Sequence, residues 1–477
     1  MPTQDIAMPN DQFPPLLERA QAHACDYLHR LPDRDVLARA SREELLAALH
    51  RPLMARGEED TAVIDLLAAQ AERGAGACSS PRYFGFVIGG SYPVALAADW
   101  LVSTWDQNAG IYVISPLVSV IEEVAAEWLL ELFDLPRGSG VGFVTGCQMA
   151  NFTCLAAARH AMLQRAGWDV EADGLYGAPR LNLVASAESH ITIDVAMRYL
   201  GLGTNAIRRV PTDAQGRMRV NELRELLATL EGPTIVCAQA GNVNTGAFDP
   251  LREIAQLTQA HGAWLHVDGA FGLWARASRR HRALADGIGL ADSWATDAHK
   301  WLNVPYDCGV AIVRHADAHR TAMTSTAAYL IQTQGAERDP VDWVPEFSRR
   351  ARGVPVYATL RALGREGVED LVDRSCARAR QMAEILSRED GVQVLNDVVL
   401  NQVLVRFGDD DELTRAVITG VQQEGTCWLG GTTWHDLAAM RISVCNWATS
   451  EEDAARSAAA IVKVFRALRG GAQGTAR

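Results

Sequence analysis

No C-x-x-C pair occurs among the nine cysteines of this 477-residue chain, which are scattered at 25, 78, 147, 154, 237, 308, 376, 427 and 445. An odd, dispersed set inside apolar runs excludes a disulfide framework and a zinc ribbon, and reads as buried free thiols in a reducing compartment. The start, MPTQDIAMPNDQFPP, has neither a basic cluster nor an apolar stretch, so no secretory leader is expected. Long uncharged apolar runs are also missing; residues 121–133, for instance, carry Glu122, Glu123, Glu127 and Glu131. No segment is therefore expected to cross a bilayer. Positive charge is in deficit, with Lys+Arg 45 against Asp+Glu 58 and a net charge of −13. That balance argues against a nucleic-acid partner, whose phosphates call for clustered Lys and Arg.

What remains is ordinary for a folded chain: 48% hydrophobic and 22% charged residues. The expectation is a cytoplasmic globular protein. Residues 1–15 read as a loose arm, and 16–74 as helical, with Ser41 and Glu44 at capping-box spacing. The middle alternates short β-type runs (141–145, 181–185, 234–238, 264–267, 293–296, 310–313) with helical ones (149–165, 221–230, 250–260). Asp249 is the expected N-cap of the last of these, with Pro250 at its first position. Such alternation implies an α/β fold with a mainly parallel sheet covered on both faces. From about 366 the texture changes to a helix, then strand-like 401–407, 427–429 and 440–444, then a final helix from Glu451. Residues 317–347 read as a long irregular excursion, the kind of loop that is often functional. Three regions follow: an N-terminal helical arm (1–75), a large domain (76–365) and a small C-terminal α+β domain (366–477).

Asp268, in HVDGAFG, and Lys300, in ATDAHKWLNVPYDCG, each stand where a β-run ends, about one strand–helix–strand passage apart. Ligands of open α/β sheets collect at the carboxyl ends of strands. A Lys amine and an Asp carboxylate arriving there separately suit pyridoxal phosphate: the amine forms a Schiff base, and the carboxylate keeps the pyridine nitrogen protonated. Such a lysine needs its pKa lowered by its surroundings to act as a nucleophile. The run 141–145 leads through Gly146, Cys147 and Gln148 directly into a helix, whose free N–H groups suit a phosphate. His190 ends another run and could stack on a flat ring. Asn244 and Thr245 follow yet another.

With these residues in view, the chain resembles the group II pyridoxal-phosphate decarboxylases, and within them the aromatic-amino-acid branch, most clearly over about 75–365. The signature is His299-Lys300-Trp301-Leu302 with Asp307-Cys308, preceded by Trp264-Leu265-His266-Val267-Asp268. The resemblance implies a fold of the aspartate-aminotransferase type (fold type I), a homodimer with a shared active site, and pyridoxal 5′-phosphate as cofactor. It assigns Lys300 to the Schiff base, Asp268 to the pyridine nitrogen, Ala270 to a place against the ring, His190 to stacking and Thr245 to a place beside the cofactor. His299 would contact the phosphate or position the substrate. Gly146, Cys147 and Gln148 replace a Ser/Thr-rich phosphate turn, and Asp297 replaces an Asn. Ser348 matches a position where a partner subunit reaches the phosphate. Tyr329, 29 residues beyond Lys300, matches a loop tyrosine that protonates the substrate Cα. Phe84, Phe86 and Val87 would line the side-chain pocket, and Arg441 could meet a carboxylate.

The expected activity is decarboxylation of an L-amino acid, aromatic by this resemblance, to its amine. Two rivals stand beside it: an aldehyde synthase or a carbon–sulfur lyase using the same Lys300, and a non-catalytic paralogue that binds cofactor or a partner only, against which the intact Lys300, Asp268, His190 and Tyr329 speak. No metal is expected.

Overall fold

The structure is a computed structural model that describes residues 12–324 and 337–474. Seven strands form its principal sheet: β1 (Gly140–Val144), β2 (Asn182–Ser186), β3 (Ile207–Val210), β4 (Thr234–Gln239), β5 (Trp264–Asp268), β6 (Ser293–Asp297) and β7 (Gly309–Val313). Their spatial order is β1-β7-β6-β5-β4-β2-β3. β7 runs antiparallel to both neighbours, while β6, β5, β4, β2 and β3 are parallel. The fold is thus α/β with a mostly parallel sheet, as fold type I requires.

Both faces of this sheet are buried, and the period-2 alternation of side chains divides them. In β4, Ile235 and Cys237 face one apolar cluster and Val236 and Ala238 the other. The first cluster is covered by the helix Cys147–Arg165, whose run of buried alanines (Ala150, Ala156, Ala157, Ala158, Ala161) lets it lie close to the strands. The second is covered by the helices Pro116–Phe133, Val220–Ala228 and Leu251–His261 through residues such as Leu129, Phe133, Leu223 and Ile254.

A second sheet contains β8 (Val392–Val394), β9 (Gln402–Phe407), β10 (Gly430–Trp434) and β11 (Leu437–Ser443), antiparallel in the order β10-β11-β9-β8. The helices Asp411–Glu424 and Glu451–Gly474 share its apolar core. The helix Gly353–Leu386 links the two layers and is broken at Gly364, whose φ of 60° leaves the helical region. At the N-terminus, the helices Phe13–Arg30, Arg42–Leu49 and Asp60–Gly74 bury no residue within one chain. Ser41 and Glu44 close the expected capping box.

Three expectations change. Pro250, not Asp249, caps the helix Leu251–His261; the Asp249 carboxylate accepts instead from Met218 N (2.7 Å) and Gln239 N (2.8 Å), holding β4 against a neighbouring loop. Residues 427–429 are not a strand: only Trp428 pairs, in one bridge with Tyr83. The excursion at 317–347 begins as helix, Ala316–Met323, and ends in the short turn of helix Pro340–Trp343. None of the described helices is long and apolar enough to cross a membrane, and the described residues contain no cluster of His, Cys, Asp or Glu suited to a metal.

Candidate active site

Five loops leave the carboxyl ends of β1, β2, β4, β5 and β6 at one edge of the principal sheet, and three of them meet. Asp297 ends β6, and its carboxylate is the hub. It accepts the Cys147 backbone N–H at 2.6 Å, stands 3.0 Å from Lys300 Nζ and 3.4 Å from His299 Nε2. His299 Nδ1 accepts the Cys308 N–H at 3.1 Å, so the ring proton is on Nε2, facing Asp297. Tyr306 lies over His299 with ring centroids 4.3 Å apart. From the end of β5, Asp268 reaches the same helix: Oδ1 accepts from Ala270 N (3.1 Å) and Cys147 Sγ (3.5 Å), and Oδ2 from Asn151 Nδ2 (3.1 Å). The turn that carries Cys147 is tight. A Cβ on Gly309 would lie 2.4 Å from the Gly146 carbonyl carbon, and one on Gly146 would lie 3.2 Å from His299 Cε1.

Burial, the largest single influence on Lys300, pulls its pKa down. The charges of Asp297 and Asp268, the Cys147 sulfur and the Asp297 hydrogen bond outweigh it, and the net direction is upward. The lowered amine pKa expected from sequence is therefore not what this arrangement gives, because Asp297 stands three residues before the lysine with its carboxylate 3.0 Å from Nζ. Burial also raises the Cys147 thiol well above its usual value, so it acts as an S–H donor. His190 and His299 are both held below the ordinary histidine value, mainly by burial, and are neutral near pH 7.

His190 precedes the helix Ile191–Tyr199, its Nδ1 2.9 Å from Thr192 Oγ1. The charges of Lys300 and Arg441 add to the lowering of its pKa by burial, and those of Asp268 and Asp297 oppose it. Arg441, on β11, makes no side-chain hydrogen bond or ion pair among the described residues. Gly89 explains how the 80–92 segment approaches: a Cβ there would overlap the Lys300 carbonyl oxygen at 1.8 Å.

Other predicted residues fall elsewhere. Phe84, 1% exposed, belongs to the core of the C-terminal sheet, because its backbone pairs with Trp428 and Ser443; it does not line a pocket. Phe86 is 61% exposed and lies on Trp428. Thr245 is fully buried; its hydroxyl donates to Gln215 O at 2.8 Å and accepts from Ala247 N at 3.2 Å. Ser348 is exposed and bonds to none of these groups within one chain. Tyr329 lies outside the described residues. Sequence reasoning missed Asn151, Thr192, His266 and Tyr306. Two of them carried a signal: His266 is two residues from Asp268 on one strand face, and Asn151 is four from Cys147 on one helix face.

These residues fit pyridoxal phosphate. Lys300 offers the amine, and Asp268 an acceptor whose other partners are all donors. The first turn of the helix Cys147–Arg165 has N–H groups without intrahelical partners for the phosphate. One of those, on Cys147, is held by Asp297.

Comparison with known proteins agrees. The family described as "Pyridoxal-dependent decarboxylase conserved domain" matches residues 54–407. The acidic amino acid decarboxylase GADL1 of Mus musculus is 33% identical over 323 residues, covering 66% of this chain and 58% of that protein. The cysteine sulfinic acid decarboxylase of Rattus norvegicus is 32% identical over 361 residues, covering 74% of this chain and 72% of the relative. The chain thus spans about 58–61% of the length of the mammalian GADL1 relatives. Among solved structures, mouse CSAD in apo form superposes with a TM-score of 0.86 at 25% identity, covering 94% of this chain and 98% of that one. Oryza sativa TDC with PLP and tryptamine superposes at 0.90 and 24% identity, over 98% and 100%, a likeness of fold alone. The two relatives are named for acidic substrates, so the aromatic substrate expected from sequence finds no support in them. By the extent of the family match and the fold it shares, the chain belongs to the pyridoxal-dependent decarboxylase family.

Proposed function

We propose that this chain removes the α-carboxylate of an L-amino acid as carbon dioxide and releases the amine. The observation that carries the reading is the convergence of Lys300 and Asp268, from adjacent parallel strand ends, on one helix N-terminus through Asp297 and Cys147. Pyridoxal phosphate, when bound, supplies a cationic ring that draws electrons from a bond at the substrate Cα. The protein's part is positional. Lys300 holds the cofactor, Asp268 accepts at the pyridine nitrogen, and His190 covers the ring, with Ala270 on its other side. In this reading Gly146 and Gln148 offer backbone N–H groups to the phosphate and His299 its Nε2–H, while the Cys147 N–H becomes available only if Asp297 releases it. Which Cα bond stands perpendicular to the ring decides the reaction, an orientation effect. Tyr329 then returns a proton to Cα.

For the side chain of the substrate, two observations compete. Phe86 over Trp428 offers an aromatic wall. Arg441 is a largely buried cation without an ion pair among the described residues, and it suits a carboxylate; burial lowers its pKa. We rank an acidic substrate first, because Phe84 is committed to the C-terminal core and the one-third-identical relatives carry acidic names. The enzyme works as a homodimer in this reading. Support comes from N-terminal helices without a fully buried residue in one chain, from the exposed Leu53, Met54 and Leu67 of the same arm, and from an exposed Ser348 available to a partner's phosphate site. The arm, large domain and small domain divide near 75 and 365, and the cytoplasm is the compartment that suits the free thiols.

Incubation with a panel of acidic and aromatic L-amino acids, with carbon dioxide, amine and aldehyde followed together, tests the reading. Amine equimolar with carbon dioxide is expected. Ammonia with aldehyde or keto acid would replace the decarboxylase by a synthase or lyase. Lys300→Ala should abolish turnover and the visible absorbance of lysine-linked cofactor, and Tyr329→Phe should divert product toward aldehyde.

A further inference from the structure

Behind Asp268 runs a buried chain of hydrogen bonds whose every donor and acceptor can be assigned. Trp264 Nε1 donates to Ser293 Oγ at 2.9 Å, and the serine hydroxyl donates to His266 Nδ1, also at 2.9 Å, because the ring proton is needed on Nε2. His266 Nε2–H then donates to Asn151 Oδ1 at 2.9 Å. The Asn151 amide therefore presents its two N–H groups forward, one to Asp268 Oδ2 and one to Thr192 Oγ1, each at 3.1 Å. Thr192, now an acceptor from Asn151, gives its own proton to His190 Nδ1. His190 is left with its proton on Nε2. Trp264, Ser293, His266 and Asn151 are all fully buried, and burial pushes the His266 pKa down to about 4, so this ring stays neutral and its tautomer is fixed.

We propose that Asn151 is a positioning residue: it joins the carboxylate under the pyridine nitrogen to the histidine that covers the ring, and sets the two in register. The inference rests on the pyridoxal-phosphate reading of the site. A carboxylate has about four lone-pair positions. Three of those on Asp268 are taken by Ala270 N, Cys147 Sγ and Asn151 Nδ2, which leaves one on Oδ2 for a ring N–H. Asn151 thereby selects which oxygen atom and which direction remain. Because the same amide holds Thr192, a shift at Asp268 is transmitted to His190. Only a side chain with an acceptor behind and two donors in front can occupy the joint. Aspartate has the shape but would turn an acceptor toward Asp268.

The test uses the holoenzyme variants Asn151→Ala, Asn151→Asp and Thr192→Val, compared by cofactor dissociation constant, the pH titration of the lysine-linked cofactor's absorbance, and kcat with KM. Asn151→Ala should weaken cofactor binding at least about tenfold, the scale of one hydrogen bond to a charged group. It should also move the absorbance titration and lower kcat more than it raises KM. Asn151→Asp should be worse than Ala at pH 8. Thr192→Val keeps shape and removes the hydroxyl that accepts from Asn151 and donates to His190, so it should move the titration by itself and be non-additive with Asn151→Ala. If Asn151→Ala does not fold, judged by circular dichroism, Thr192→Val alone decides. Variants that lose thermal stability while cofactor affinity and the titration stay at wild-type values would overturn the proposal. Lys300→Ala in parallel separates the two readings: a visible band that survives there sinks the cofactor reading, whereas its loss beside unaltered Asn151 variants sinks only the positioning role.

Discussion

Lys300 and Asp297 pose the sharpest question at the scale of single residues. A lysine meant to attack must shed a proton, yet Asp297, 3.0 Å away, holds the proton on. The same carboxylate takes a helix N–H that a phosphate would use. Asp297→Asn keeps an acceptor for Cys147 N and removes the charge, so burial should then pull the Lys300 pKa down. Capture of pyridoxal phosphate by the cofactor-free protein should become faster at pH 7, by roughly tenfold for each unit the amine moves. Stopped-flow absorbance between pH 6.5 and 9 reads this, and an unshifted pH–rate profile would show that Asp297 does not control the amine. Lys300 and Asp268 were legible because both punctuate a β-run with a residue that a strand end seldom needs. The Thr245 hydroxyl closes a turn with Ala247 N, a use that no spacing reveals.

Among the elements, the loop before the helix Gly353–Leu386 depends on one buried ion pair. Arg349 Nη1 lies 2.8 Å from Glu122 Oε1, both side chains are essentially unexposed, and the guanidinium also donates to Ala109 O and Phe143 O. Removing one partner leaves an uncompensated buried charge. Glu122→Ala should therefore cost about 3–5 kcal/mol, while replacing both partners by apolar residues should cost much less. Urea denaturation of the single and double variants measures the difference; equal losses would refute the account. Sequence placed Glu122 only as a charge interrupting an apolar helix. Strand runs were easier to read than caps: Asp249 looks like an N-cap from its neighbours, but two backbone N–H groups from elsewhere claim it.

For the molecule as a whole, buried neutral histidines set the response to acid. His266 and His319 are held by burial near pKa 4 and 3, against about 6.5 for a free side chain. Above pH 6.5 neither state binds these protons. As pH falls below that, the unfolded chain takes them up and the fold does not, so stability drops, by about 3 kcal/mol for His266 alone at pH 4. Asp249, raised to about 7 by burial, acts in the opposite sense, losing stability as pH rises from about 4 to 7. Comparison with a variant cancels that contribution. His319→Asn, remote from the cofactor residues, should flatten the acid limb of unfolding free energy against pH relative to wild type, and an unchanged slope would remove His319 from the explanation.

Composition argued against a disulfide framework, a zinc ribbon and a nucleic-acid partner, and the alternation of β and helical runs determined a parallel-rich sheet, because side-chain period and turn residues are local properties. The cofactor lysine and its aspartate were also visible, since each is announced by the few residues around it. Only the tertiary structure decided that Asp297 would raise the lysine pKa, that Phe84 would leave the pocket for the C-terminal core, and that Asn151 would join Asp268 to His190. Those outcomes depend on which side chains from distant parts of the chain share one dry space, where a few ångströms of separation and the loss of water fix both protonation and hydrogen-bond direction.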